Sequence, residues 1–171
     1  MGKNLTLTGM MGVGKSTIGK NLAKRLDYKF VDVDKIIEAK EGLSINSIFK
    51  SKSESYFRKI ENDITLSELK KESTVIALGG GAFLNSTIRK SAKKLSVSFW
   101  LDVPIHELIR RLKKSNQRPL LFKKNITDTV KKIYFDRKKT YNEADFKIKC
   151  GSLKSDQIVS RILNLYENAG N

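Results

Sequence analysis

Near its start the chain reads Gly9-Met10-Met11-Gly12-Val13-Gly14-Lys15-Ser16, a run with glycine at its first and sixth positions followed by lysine and a hydroxyl. Glycines at this spacing let the backbone turn so that successive N–H groups converge on phosphate oxygens, and a helix opening behind them adds partial positive charge. Lys15 is placed to reach the β- and γ-phosphates of a nucleoside triphosphate, and Ser16 to offer its hydroxyl to Mg²⁺. The candidate nucleotide contacts are Gly12, Val13, Gly14, Lys15, Ser16 and Thr17; Met10 and Met11 carry no separate signal. The plain alternative is a glycine-rich turn before a helix.

Such a loop names the phosphate donor and leaves the acceptor open. A phosphoryl acceptor needs groups that hold its hydroxyl in line and cations that offset the charge of the transferring group. Asp32-Val33-Asp34 is the first source, expected at the carboxyl end of the second strand, where alternation puts both carboxylates on one side. One would serve a metal ion through water and the other the acceptor hydroxyls; the competing reading makes Asp34 only a helix cap. Leu78-Gly79-Gly80-Gly81-Ala82 is the second, a place where backbone can approach a ligand closely, or else a strand-to-helix turn. The third is a set of isolated arginines, Arg58, Arg118 and Arg137, in a chain whose basic residues are mostly lysine. Arginine is the residue that grips a carboxylate or phosphate through two parallel hydrogen bonds.

The elements that must position these groups alternate along the chain. Short β-prone runs at Leu5 to Thr8 and Tyr28 to Val33 flank a helical segment marked by Ile18, Leu22 and Leu26. Helices are expected from Asp34 to Lys40, from Ser44 to Phe49 with Ser44 as cap, and from Ser53 to Leu69 with Phe57, Ile60, Ile64 and Leu69 inward. Strands follow at Thr74 to Leu78, Leu95 to Leu101 and Phe146 to Lys149, with helices near Ser86 to Ala92, after Pro104, from Ile126 to Tyr141 and from Asp156 to Tyr166. The polar stretch around Gln117 and Pro119 predicts a mobile loop, and Arg118 within it suits a lid that closes over phosphates. Strand–helix alternation over the whole length predicts one α/β domain, three layers deep, with a parallel sheet of about five strands.

Composition sets the outer limits. With 171 residues, 39% of them hydrophobic, and only 2 Pro and 11 Gly, the chain is neither disordered nor collagen-like. No apolar run approaches the ~20 residues of a membrane span, and the start lacks a secretory signal, so a cytoplasmic protein is expected. A single cysteine, Cys150, makes neither an internal disulfide nor a zinc site. The balance of 34 basic against 18 acidic residues gives +16, a charge suited to nucleic acid, an anionic surface or small anionic substrates. Its scatter and the thin aromatic interleaving, Phe122, Tyr134 and Phe135 in the basic stretch, disfavour a nucleic-acid stripe. His106 and Trp100 read as a surface residue and a core residue, with Tyr56 at the edge of the substrate side.

Taken in order, these blocks resemble the shikimate kinase family, small enzymes of the nucleoside monophosphate kinase fold. The likeness runs from the Gly9–Ser16 loop with Thr17-Ile18-Gly19 through Phe30-Val31-Asp32-Val33-Asp34, Phe57-Arg58-Lys59-Ile60-Glu61 and Leu78-Gly79-Gly80-Gly81-Ala82. It continues through Gln117-Arg118-Pro119-Leu120-Leu121 to Arg137, Tyr141, Glu143, Ala144 and Asp145. The resemblance implies ATP-dependent phosphorylation of the 3-hydroxyl of shikimate, on the route to chorismate and the aromatic amino acids, by a monomer that uses Mg²⁺ and needs neither nucleic acid nor membrane. By it, Asp34 holds ring hydroxyls and orients the nucleophile, and Arg58 and Arg137 clamp the shikimate carboxylate. Gly79, Gly80 and Gly81 form the substrate-side turn. Lys15 and Arg118 stabilise the transferring group, Ser16 and Asp32 serve the metal, and Arg111 lies near the adenine. Ile45, Phe57, Glu61, Pro119 and Leu120 line or support the substrate pocket, residues 33–61 form the substrate-binding helices and 113–125 the lid. The chain departs from some members after its last strand, where Gly151-Ser152-Leu153-Lys154 offers no arginine to the adenine.

Gluconate kinases and nucleoside monophosphate kinases share the loop and the fold, and the arginine pair with Asp34 favours an acid over a nucleotide as acceptor. A nucleotide-dependent nucleic-acid-binding protein is the reading from another class.

Overall fold

The structure is a computed structural model and describes residues 3–114 and 125–169. Five strands, β1 (Asn4–Thr8), β2 (Lys29–Asp32), β3 (Thr74–Ala77), β4 (Ser96–Asp102) and β5 (Phe146–Lys149), form one parallel sheet in the order β2-β3-β1-β4-β5. Strand β1 is central and buried along its whole length, with Leu5 between Val75 and Val97, and Leu7 between Ala77 and Phe99. Its polar residues are matched inside the protein: Asn4 bonds the Leu69 carbonyl and the Thr74 N–H, each at 3.0 Å, and Thr6 meets Ser96 at 2.7 Å.

The helices are α1 (Lys15–Leu26), α2 (Val33–Glu41), α3 (Ile45–Ser51), α4 (Glu54–Leu69), α5 (Ser86–Leu95), α6 (Ile105–Lys114), α7 (Ile126–Tyr141) and α8 (Ser155–Ala169), with a 3-10 turn at Ala82–Leu84. They cover the sheet in two layers, α1 beside α8 and α4 beside α5, which makes the expected three-layer architecture. Close packing starts at Gly19, where a Cβ would lie 2.4 Å from the Phe30 ring, so only glycine lets α1 settle on β2. Caps explain where most helices begin. Ser44, Ser53, Asn85 and Asn125 each accept a backbone N–H of the first turn that follows. Trp100, Tyr141, Phe83 and Phe99 are the largest side chains of the core, and the free Cys150 is buried with them, where burial pushes its thiol up to about 12.

Most expected elements are present, and α7 and β5 have the expected bounds. Two readings need correction. Strand β2 ends at Asp32, which caps α2 by accepting the Lys35 N–H at 3.3 Å, and Asp34 stands in the first turn of that helix. The two carboxylates therefore do not alternate along a strand. The inward stripe of α4 also carries acids, since Glu61 and Glu68 are buried beside Phe57, Ile64, Thr65 and Leu69. The expected lid falls largely, and Arg118, Pro119, Leu120 and Phe122 entirely, outside the described residues.

Because β1 lies between β3 and β4, the chain departs to opposite sides of the sheet from its carboxyl end. A crevice opens at such a switch point, and the loops after β1 and β3 form its walls.

Candidate active site

The loop after β1 is held by the sheet beneath it. Gly9 has φ 136° and a Cβ there would lie 2.7 Å from the Leu101 carbonyl, so the first loop position admits no side chain. Gly14, at φ 99°, caps α1 without a side-chain acceptor, and the first turn of α1 holds no acid. Helices α2 to α5 and α7 all satisfy a first-turn N–H with a side chain, whereas α1 leaves its own for an anion. Lys15 folds back over the loop, its Nζ donating to the carbonyls of Gly9 at 2.8 Å and Met10 at 2.9 Å. Ser16 Oγ donates to Asp32 Oδ2 at 2.5 Å, which joins the start of α1 to the end of β2.

A cavity of about 260 Å³ lies over this loop, lined by Gly12, Gly14, Lys15, Ser16 and Thr17, with Asp32, Asp34 and Gly80 across from them. Val13 turns its side chain into the core, and its carbonyl receives Arg111 Nη1 at 3.3 Å. Arg111 is paired with Glu107 at 2.5 Å and does not line this cavity.

A second cavity of about 320 Å³ adjoins the first. Its charged wall is Asp34, Arg58, Glu61 and Arg137, its apolar wall Ile45, Phe49, Phe57 and Ile133, and its floor Gly80 and Gly81. Met11, Asp34 and Gly80 line both cavities, so Asp34 faces the phosphate loop on one side and the arginines on the other. Each group arrives on a different element: Asp34 on α2, Arg58 and Glu61 on α4, Arg137 on α7.

Arg58 is held between two acids, Nη1 on Glu61 at 2.6 Å and Nη2 on Glu54 at 3.2 Å. Burial works against its charge, and Glu61 and Glu54 outweigh that, keeping the guanidinium above its usual range. For Glu61 the balance tips the other way. Burial raises its carboxyl above the usual carboxylate value, Arg58 opposes and nearby Asp34 adds to the rise. Arg137 Nη1 donates to the Gly80 carbonyl at 2.9 Å, and Tyr141 Oη donates to the same oxygen.

The glycine triplet is also required by the side chains packed around it. None of Gly79, Gly80 and Gly81 has a positive φ. A Cβ on Gly79 would lie 2.5 Å from Glu61 Oε1 and 2.7 Å from Asp34 Oδ1, and one on Gly81 2.7 Å from Arg58 Nη1. Gly79 does not line the acceptor cavity; it makes room beneath the two carboxyls that shape it. Tyr56 stands aside, its hydroxyl on Glu41 at 3.1 Å, and Met11, read as silent, lines both cavities. Thr129 and Ile133 went unread as well, though with Arg137 they repeat every fourth residue on one face of α7.

The chain is similar to known proteins in sequence and in fold. A sequence model described as shikimate kinase matches residues 11–167. A protein named shikimate kinase from Sulfurihydrogenibium sp. (strain YO3AOP1) is 42% identical over 161 residues, which cover 94% of this chain and 96% of that protein. Among solved structures, shikimate kinase from Acinetobacter baumannii in complex with shikimate superposes with a TM-score of 0.93 at 29% identity, covering 99% of this chain and 95% of that one. The Aquifex aeolicus shikimate kinase structure superposes at 0.85 with 36% identity, covering 97% of this chain and 98% of that one. With a phosphate loop that opens on a cavity walled by Asp34, Arg58 and Arg137, and matched in sequence and in shape over nearly its full length, this chain belongs to the shikimate kinase family.

Proposed function

We propose that the chain transfers the γ-phosphoryl group of ATP to the 3-hydroxyl of shikimate, giving shikimate 3-phosphate and ADP in aromatic amino acid biosynthesis. The observation that carries this reading is the position of Asp34, common to the phosphate cavity and to a cavity walled by Arg58 and Arg137. One carboxylate for hydroxyls and two guanidinium groups for an anion match a polyhydroxylated acid.

Asp34 accepts the hydrogen bond of the attacking hydroxyl and orients its oxygen toward the γ-phosphorus. Arg58, braced by Glu61, and Arg137 hold the carboxylate at the far end, so the ring is fixed at both ends before transfer. Apolar Ile45, Phe49 and Phe57 pack against the ring and displace water. As the phosphoryl group moves, the loop N–H groups and Lys15 meet the charge that develops on its oxygens and on the departing ADP. The family resemblance gives Arg118 the same task and Arg111 a place near the adenine.

Ser16 and Asp32 are hard oxygen donors hydrogen-bonded to each other beside the loop, a set that suits Mg²⁺ together with nucleotide phosphates and water. Bound there, Mg²⁺ would supply charge neutralisation to the phosphates. The same reading makes the protein a cytoplasmic monomer acting on small molecules, without nucleic acid or membrane as partner. Both cavities are sized for small molecules.

Coupled ADP release with a panel of shikimate, gluconate and nucleoside monophosphates tests the assignment. Release that depends on shikimate alone is expected. Release driven by another member of the panel, with none from shikimate, would replace it.

A further inference from the structure

Gly80 occupies the joint between the two cavities, and its carbonyl is the acceptor for two donors from one helix. Arg137 and Tyr141 are four residues apart on α7, hence on the same face, and both reach that oxygen. Their surroundings differ. Tyr141 is fully buried, with its ring 6.0 Å from that of Trp100, so its hydroxyl has one place to be. Arg137 lines the acceptor cavity, where a carboxylate can reach it.

This difference becomes important when the acid arrives, and the argument here rests on the function proposed above. A guanidinium that grips a carboxylate aligns its plane with it and uses two parallel N–H groups. The nitrogen on the Gly80 carbonyl is Nη1, and an end-on grip through Nη1 and Nη2 takes Arg137 from that carbonyl toward the substrate, while Tyr141 remains as the donor that still holds the peptide. Because the Gly80–Gly81 peptide is planar, fixing the carbonyl toward α7 also fixes the Gly81 N–H on the opposite side. The floor of the acceptor cavity keeps its shape while its arginine changes partner.

We propose that Tyr141 is a positioning residue for the acceptor: its hydroxyl holds the Gly80 carbonyl so that Arg137 can be released to the substrate carboxylate.

The test is Tyr141→Phe, which keeps the buried ring and removes only the hydroxyl. Losing one such hydrogen bond should raise KM for shikimate by about tenfold, with KM for ATP unchanged. Shikimate affinity, read from the fluorescence of the single tryptophan, Trp100, should weaken by the same factor while ADP affinity stays. An analogue with a hydroxymethyl group in place of the carboxylate leaves Arg137 on Gly80, so its affinity should not change in the variant. Equal weakening of analogue and shikimate, or a rise in KM for ATP matching that for shikimate, would show a merely structural tyrosine and overturn the proposal. So would wild-type constants for shikimate in the variant. Should Tyr141→Phe fail to fold, 3-fluorotyrosine at position 141 is the milder probe: its altered hydroxyl should shift shikimate KM and not ATP KM, and an unchanged shikimate KM would overturn the proposal. Failure of the wild-type protein itself to turn over shikimate would instead strike the function, a result readable before any variant is made.

Discussion

Arg58 and Glu61 stand one helical turn apart on α4 and form an ion pair at 2.6 Å, yet the second carboxyl oxygen of Glu61, Oε1, is buried without a hydrogen-bond partner among the described residues. The pair is thus asymmetric. Arg58 faces the acceptor cavity and draws on two acids, while Glu61, 2% exposed, bears the cost of burial. What the pair provides is aim: an arginine on a flexible stem is held toward the cavity by a buried carboxylate.

Its pH dependence follows from the raised carboxyl of Glu61. A folded-state pKa above the unfolded value means that the fold binds the proton more tightly, so this contribution to stability is complete below about 4.5 and is lost as pH rises through the higher folded value. Glu61→Gln removes the titration. The stability difference between Glu61→Gln and wild type should therefore move in favour of the variant as pH is raised from 4.5, measured by urea unfolding at a series of pH values. Parallel stability curves would refute the burial argument.

Asp34→Asn keeps the shape of the side chain and removes the charge that orients the hydroxyl. Turnover of shikimate should fall by roughly 10²–10⁴-fold, the range of a positioned acid–base group. ADP affinity should change little, because the phosphate loop holds the nucleotide from the other side. Single-turnover kinetics beside ADP titration separates the two.

The glycine triplet gives a contrast within three residues. Gly81→Ala would push a Cβ to within 2.7 Å of the Arg58 guanidinium, whereas among the described residues Gly80→Ala meets nothing closer than the Met11 nitrogen at 3.4 Å. KM for shikimate should rise by about tenfold or more in Gly81→Ala, as expected when a positioning group shifts by an ångström, and by much less in Gly80→Ala. Equal effects would mean that the triplet serves chain flexibility instead.

Lys15→Ala removes the cation over the loop together with its bonds to Gly9 and Met10. The transfer rate should drop by about 10²–10³-fold, the scale on which one preorganised donor acts. Losing those loop contacts should also lower stability by about 1–3 kcal/mol, visible as a reduced midpoint in denaturant. Retained transfer would count against the loop as the phosphate site, whatever the stability.

Much of this architecture can be read along the chain. The loop from Gly9 to Ser16, the alternation of apolar strands with capped helices, and the isolated Arg58 and Arg137 are local patterns, because glycine placement, side-chain period and capping are properties of neighbouring residues. Other features depend on segments far apart in sequence. Gly79 must be glycine because Asp34 and Glu61 arrive from α2 and α4, and Glu61 is buried although its residue type favours solvent. Tyr141 meets the Gly80 carbonyl across 61 positions, and Met11 becomes a shared wall only when two cavities close around it. Local chemistry thus names the phosphate loop and the layers. Packing between distant elements sets which acids are buried, which backbone oxygen is held and where the two cavities meet, since no short stretch of chain carries those distances.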